Sequence, residues 1–200
     1  MAEPRSPQTS RRSERSRRAI LDAALELVAE TGFGKLTIEA IAARAGVGKQ
    51  TIYRWWPSKA AVLFDSFLAL GEGEEGIALP DTGDLEADLK LVLRATVDEL
   101  NDPKYDLPSR ALAAESQNDP ALAAELTAKV LEPQLAAYEE RLRSAQRAGD
   151  IAEGTDLRVA LELLVGPLHH RWMLRTRPLT HAFADTVVEM VLRALAPPAR

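Results

Sequence analysis

The 200-residue chain contains no cysteine, which excludes disulfides and thiolate metal sites and fits a reducing compartment. Aromatics are scarce, with three Trp, three Tyr and four Phe. No apolar run approaches the ~18 residues that a membrane span needs, so no membrane partner is expected. The start, MAEPRSPQTSRRSERSRR, lacks the apolar core of a secretory signal. Residues 1–13 are instead expected to form a disordered basic arm, and the protein is expected in the cytoplasm. Histidines number three. His169 and His170 are adjacent, ~100° apart on a helix, and His181 lies beyond a proline, so no i, i+4 metal pair exists. Neither a metal nor another cofactor is expected. No nucleophile–base–orienter set is legible, so no catalytic residue is assigned.

What is present is unevenly distributed. Residues 1–60 hold eleven Lys/Arg against six Asp/Glu, whereas the other 140 hold fourteen against twenty-four, for a total of −5. A basic head on an acidic body fits a chain that meets a polyanion at one end, although the arginine-rich start accounts for much of it. Helical periodicity dominates and no segment alternates convincingly at period two, so the chain reads as all-α. Ile20, Ala23, Ala24, Leu27 and Val28 share one face before a Thr31-Gly32 stop. Thr37, Ser58, Asp84, Asp119, Thr155 or Asp156, and Thr180 are placed as N-caps. A shorter helix is expected from Ser109 to about Gln117 after the interruption NDPKYDLP, and Pro133 should kink or split the helix reaching Ala148. The domain reading is an N-terminal helical domain over 14–70, a loop over 71–83 with Gly/Pro/acidic character, and a body over 84–200, about nine helices in all.

The densest chemistry lies in GVGKQTIYRWWPSK, Gly46 to Lys59. A short capped helix from Thr37, a glycine turn and a second short helix make a helix-turn-helix, whose second helix enters the DNA major groove. At ~100° per residue, Ile52 faces the core while Lys49, Gln50, Thr51 and Arg54 project outward. Gln matches adenine, and Lys or Arg match guanine, through paired hydrogen bonds. Trp56 is assigned to the core. Tyr53 and Trp55 go to the outer face, with O–H and N–H aimed at phosphates. Lys59, in the first turn of the helix capped by Ser58, completes an anion site.

From Gly32 to Leu63 the sequence GFGKLTIEAIAARAGVGKQTIYRWWPSKAAVL resembles the DNA-binding domain of the TetR (tetracycline repressor-like) family of bacterial regulators. The resemblance covers residues ~14–68 closely and the rest by helical layout. It implies a three-helix helix-turn-helix domain, a larger C-terminal ligand-binding and dimerisation domain, and a homodimer joined through the last two long helices. It also implies a small-molecule effector that releases the protein from an inverted-repeat DNA operator. By the same resemblance Thr37, Tyr53, Trp55 and Lys59 match phosphate-contacting positions, and Lys49, Gln50, Thr51 and Arg54 match base-reading ones. Trp55 departs from the family pattern, where a histidine or another aromatic is common.

In the body, Gly166 to Pro178 (GPLHHRWMLRTRP) is the unusual stretch. His169, Trp172 and Met173, with Tyr138 from another helix, are candidates to line an apolar ligand cavity. The other reading of the same stretch is a dimer seam, which also enriches Trp, Met and Arg. The rival functional classes are a small helical enzyme using His169 or His170 with a carboxylate, and a helical interaction module with an incidental basic patch.

Overall fold

A computed structural model of the chain describes residues 7–71 and 79–198. No strand occurs among the described residues. The helices are α1 (Pro7–Thr31), α2 (Ile38–Ala45), α3 (Lys49–Tyr53), α4 (Lys59–Leu70), α5 (Leu85–Asn101), α6 (Pro103–Ser116), α7 (Pro120–Leu126), α8 (Glu132–Ala148), α9 (Leu157–Leu174) and α10 (His181–Leu195). A π-helical stretch, Thr127–Leu131, joins α7 to α8, and counting that run as one gives nine helices among the described residues. Pro133 explains the stretch: its ring clashes with the carbonyl four residues back, at Lys129 inside the π turn, and it has no N–H to donate.

Contacts group the chain into two compact units. Among the described residues, 7–71 with 103–126 form one, and 79–102 with 127–198 form the other. In the first, α1 packs on α2 and α4 and buries Ile20, Ala23, Ala24, Leu27 and Val28. Opposite them lie Ile38 and Ile41 of α2, Ile52 of α3, and Val62, Leu63 and Phe64 of α4. Each fully buried Ile or Leu contributes about 1.5–3 kcal/mol of apolar burial. Helix α6 packs on α1 and α4, and α7 packs on α4 and α6, burying Leu112 and Leu122. Helix α6 also begins six residues earlier than expected. Pro103 opens it, where a missing N–H costs nothing, and Pro108 is carried inside it. Helix α1 begins at Pro7, inside the segment expected to be a disordered arm. Residues 1–6 of that arm and 72–78 of the expected loop lie outside the described residues.

In the second unit α5, α8, α9 and α10 share one core built on Leu89, Leu93, Leu142, Leu161, Leu164 and Val188. A charged pair is sealed beside it. Asp88 and Arg141 are each 3% exposed at the side chain, and Arg141 Nη2 and Nε donate to Asp88 Oδ2 at 2.8 and 3.1 Å. Arg141 Nε also donates to the Pro80 carbonyl at 3.0 Å, and the Thr82 hydroxyl donates to Asp88 Oδ1 at 2.7 Å. Burial pushes the Asp88 carboxyl up, but the Thr82 and Arg141 hydrogen bonds outweigh it and hold the carboxyl below the usual range.

Candidate nucleic-acid interface

The geometry of this face begins with caps. The Thr37 hydroxyl accepts from Ala40 N at 3.1 Å and starts α2. Gly46 ends it at φ 67°, a left-handed conformation that favours glycine, while Val47 N reaches back to the Ala42 carbonyl at 3.0 Å. This closure turns the chain within two residues and launches α3 from Gly48. Arg44 fixes α2 against α1 with a fork, Nη1 to Glu26 at 3.0 Å and Nη2 to Glu30 at 2.7 Å.

Helix α3 is one and a half turns long, shorter than the Lys49–Trp55 span read from sequence, and Ile52 is its single buried residue. Lys49, Gln50, Tyr53 and Arg54 are exposed and Thr51 is half-buried, so the base-reading candidates share the face opposite Ile52. Lys49 is not a free cation. Its Nζ lies 3.0 Å from Glu39 Oε1 on α2, and this hydrogen bond raises the lysine pKa and lowers that of the carboxylate.

The two tryptophans separate as the helical angle requires. Trp56 is buried and donates its indole N–H to Asp65 Oδ2 at 2.9 Å, an oxygen that Arg17 of α1 also reaches at 3.4 Å. Trp55 is half-buried, edge-on to Trp56 at 5.4 Å between centroids, with the Arg54 guanidinium 5.0 Å from its ring centroid. The adjacent Tyr53 is 51% exposed.

Lys59 carries a further constraint. Its ammonium donates to the Phe33 and Leu36 carbonyls, both at 3.0 Å, and sits 4.4 Å from the Phe33 ring centroid. Two of its three N–H donors are therefore spent on the 3-10 turn that precedes Thr37, leaving one. Sequence reasoning placed Lys59 near phosphate but missed this clamp. It also missed Glu39 and Asp65 as partners of Lys49 and Trp56, because pairs ten and nine residues apart across a turn leave no periodic signal.

The body candidates are divided. Tyr138 and Trp172 are buried in the second unit's core, with Tyr138 raised in pKa by burial against a hydrogen bond to Thr96 that lowers it. His169 and Met173 are exposed on α9, and the His169 ring stands edge-on to Trp172 at 6.2 Å. A shallow cleft lined by Leu79, Asp81, Ala137, Glu140, Arg141, Ser144 and Arg147 contains none of the four. Among the described residues no cluster of His, Asp or Glu is placed to hold a metal ion. No described helix is long and apolar enough to cross a membrane.

A capped helix, a left-handed glycine and a short polar-faced helix on a three-helix core define a helix-turn-helix DNA-binding protein. Residues 20–65 match the family described as bacterial regulatory proteins, tetR family, and residues 79–191 match the tetracyclin repressor-like C-terminal domain. The chain belongs to the tetR family and is a DNA-binding transcriptional regulator, a class distinct from enzymes. It is 34% identical over 164 residues to the uncharacterized HTH-type transcriptional regulator YdeS of Bacillus subtilis (strain 168), covering 82% of this chain and 81% of YdeS. It is 28% identical over 190 residues to the DNA-binding transcriptional repressor TetR of Mycobacteroides abscessus, covering 94% and 97%. Among solved structures it resembles the TetR family transcription regulator SCO0332, with a TM-score of 0.67 and 34% identity over 91% of this chain and 99% of that one. The flavonoid-responsive regulator FrrA gives a TM-score of 0.67 at 28% identity, covering 93% and 100%.

Proposed function

We propose that the protein is a cytoplasmic, ligand-responsive repressor that binds an inverted-repeat operator as a homodimer. The observation that carries this reading is the polar face of α3, opposite the buried Ile52, within a segment matched to the tetR family. Lys49, Gln50, Thr51 and Arg54 read base edges in the major groove. Thr37, Tyr53, Trp55 and the remaining N–H of Lys59 hold phosphates and fix the register. Arg15, exposed on the first turns of α1, adds to the positive potential of this unit.

Support for the dimer comes from α9 and α10. Val159, Leu163, Gly166, His170 and Met173 recur along the exposed side of α9 at heptad-like spacing, and Met190 is exposed on α10, which packs beside α9. Val159 and Leu163 are each about half exposed, an uncomfortable state for large apolar side chains in water. His169 and Met173 belong to this seam, whereas Tyr138 and Trp172 line the effector site within the body. The names of two structural relatives lend support: one is called flavonoid-responsive, and the regulator FadR of Bacillus subtilis was solved with stearoyl-CoA. An effector that binds better to the state with mis-spaced recognition helices draws the population off DNA, since α3 and its mate must enter grooves about 34–36 Å apart.

Titrating the full-length protein on fragments of its own genomic DNA at two salt concentrations tests this function. Specific binding to a site with two-fold symmetry, weakened by salt and released by an apolar compound, is the expected result. Binding that is equal on every fragment would overturn it.

A further inference from the structure

Among the described residues, Glu39 is the one carboxylate set against a base-reading side chain. It lies in the first turn of α2, is exposed, and accepts from Lys49 Nζ at 3.0 Å across the turn of the motif. A lone acid on a face that meets a polyanion is unfavourable, so its place beside Lys49 calls for a physical reason. Two consequences follow from the contact. First, the pair is close to neutral, so Lys49 adds almost nothing to the sequence-independent attraction that governs binding to random DNA. Second, one of the three ammonium donors is anchored and the flexible stem is held, leaving two N–H groups directed from a fixed point. Two donors are what guanine O6 and N7 accept.

We infer that Glu39 is a specificity-determining residue, which holds Lys49 in register for a base edge and cancels its charge toward the phosphate backbone. Lys49 then contributes to the operator through geometry and contributes little to random sequence through charge. The inference rests on the reading that Lys49 faces DNA. Arg54 offers a contrast on the same face, where its guanidinium lies 5.0 Å from the Trp55 ring centroid and, among the described residues, no carboxylate pairs with it.

The test uses full-length protein, an operator selected from random duplexes by the wild type, and a 30-base-pair duplex of unrelated sequence. Glu39→Gln keeps the side-chain shape and removes the charge. Its binding to the unrelated duplex should gain about 0.9 in the slope of log K against log salt, which is about 8-fold tighter binding at 0.1 M salt relative to 1 M. Affinity for the operator should stay within about 3-fold, because the gain in charge offsets the loss of orientation, so discrimination falls. In a Lys49→Ala background the same substitution should leave the slope where it was. A melting curve within about 2 °C of the wild type confirms that the exposed position is not a folding determinant. If Lys49→Ala alone leaves operator affinity unchanged, the reading of α3 fails. If Lys49→Ala weakens the operator complex but Glu39→Gln leaves the slope unchanged, or raises it equally without Lys49, that reading stands and the inference on Glu39 is overturned.

Discussion

Replacing Lys59 with methionine separates two roles that converge on one ammonium. The substitution keeps the aliphatic stem and deletes three N–H donors, two of which reach the Phe33 and Leu36 carbonyls at 3.0 Å. Hydrogen bonds to a charged group contribute about 1.5–3 kcal/mol net, and the contact with the Phe33 ring adds about 0.5–1 kcal/mol. The turn is partly exposed, so the freed carbonyls recover water, and a total loss of about 1.5–3 kcal/mol is expected. At about 2–4 °C per kcal/mol for a chain of this length, Tm falls by about 3–12 °C. Circular dichroism at 222 nm reads this directly. The third donor is read separately, on a duplex of unrelated sequence, where its loss lowers the salt slope by about 0.9. An unchanged Tm would refute the clamp and leave Lys59 as a phosphate ligand alone. A lowered Tm with an unchanged slope would refute the phosphate contact.

Asp88→Asn should cost about 3–5 kcal/mol at pH 7, because it removes the buried counter-charge of the Arg141 guanidinium and leaves only the half-exposed Asp81 carboxylate, 3.5 Å away. The Asp88 carboxyl is held below its ordinary value in the fold, so its contribution is complete above the ordinary aspartate range and is lost as pH falls through the folded value. The gap between wild type and variant in urea midpoint should therefore close on acidification, and a gap that widens toward pH 3 would contradict the assignment. Leu163→Asp, on the exposed stripe of α9, should shift the protein to monomer in sedimentation and abolish operator binding without lowering Tm in proportion. Gly46→Ala should cost about 1–2 kcal/mol by urea titration through backbone strain alone, since φ is 67° and an added Cβ meets nothing within 4 Å.

The elements legible in the sequence are those fixed by local chemistry. The hydroxyl or carboxylate of Thr37, Ser58, Asp84, Asp156 and Thr180 each accepts from a backbone N–H two or three residues on, as cap patterns require. The 3.6-residue period likewise placed Ile52 and Trp56 inward and sent Lys49, Gln50 and Arg54 outward. Tertiary choices were not legible. Helix α6 joins the first unit because Leu112 has a surface to bury there, which no local pattern in NDPKYDLPSR announces. Prolines misled in the same place: Pro103 reads as a breaker, yet at the first position of a helix it is a starter. The Lys49–Glu39, Trp56–Asp65 and Arg141–Asp88 contacts all cross between elements, so their partners are set by packing angles rather than by spacing along the chain.

The central claim is that the exposed side of α3 reads sequence, and Gln50→Ala tests it most directly. Gln50 is exposed on the side of α3 opposite the buried Ile52, so truncating it leaves the fold intact. Paired titrations of wild type and variant, on the selected operator and on an unrelated duplex at one salt concentration, give the discrimination ratio. The account predicts a loss of about 1–3 kcal/mol on the operator, a changed base preference at one position of each half-site, and unaltered binding to the unrelated duplex. Equal weakening on both duplexes, or none on either, would contradict it.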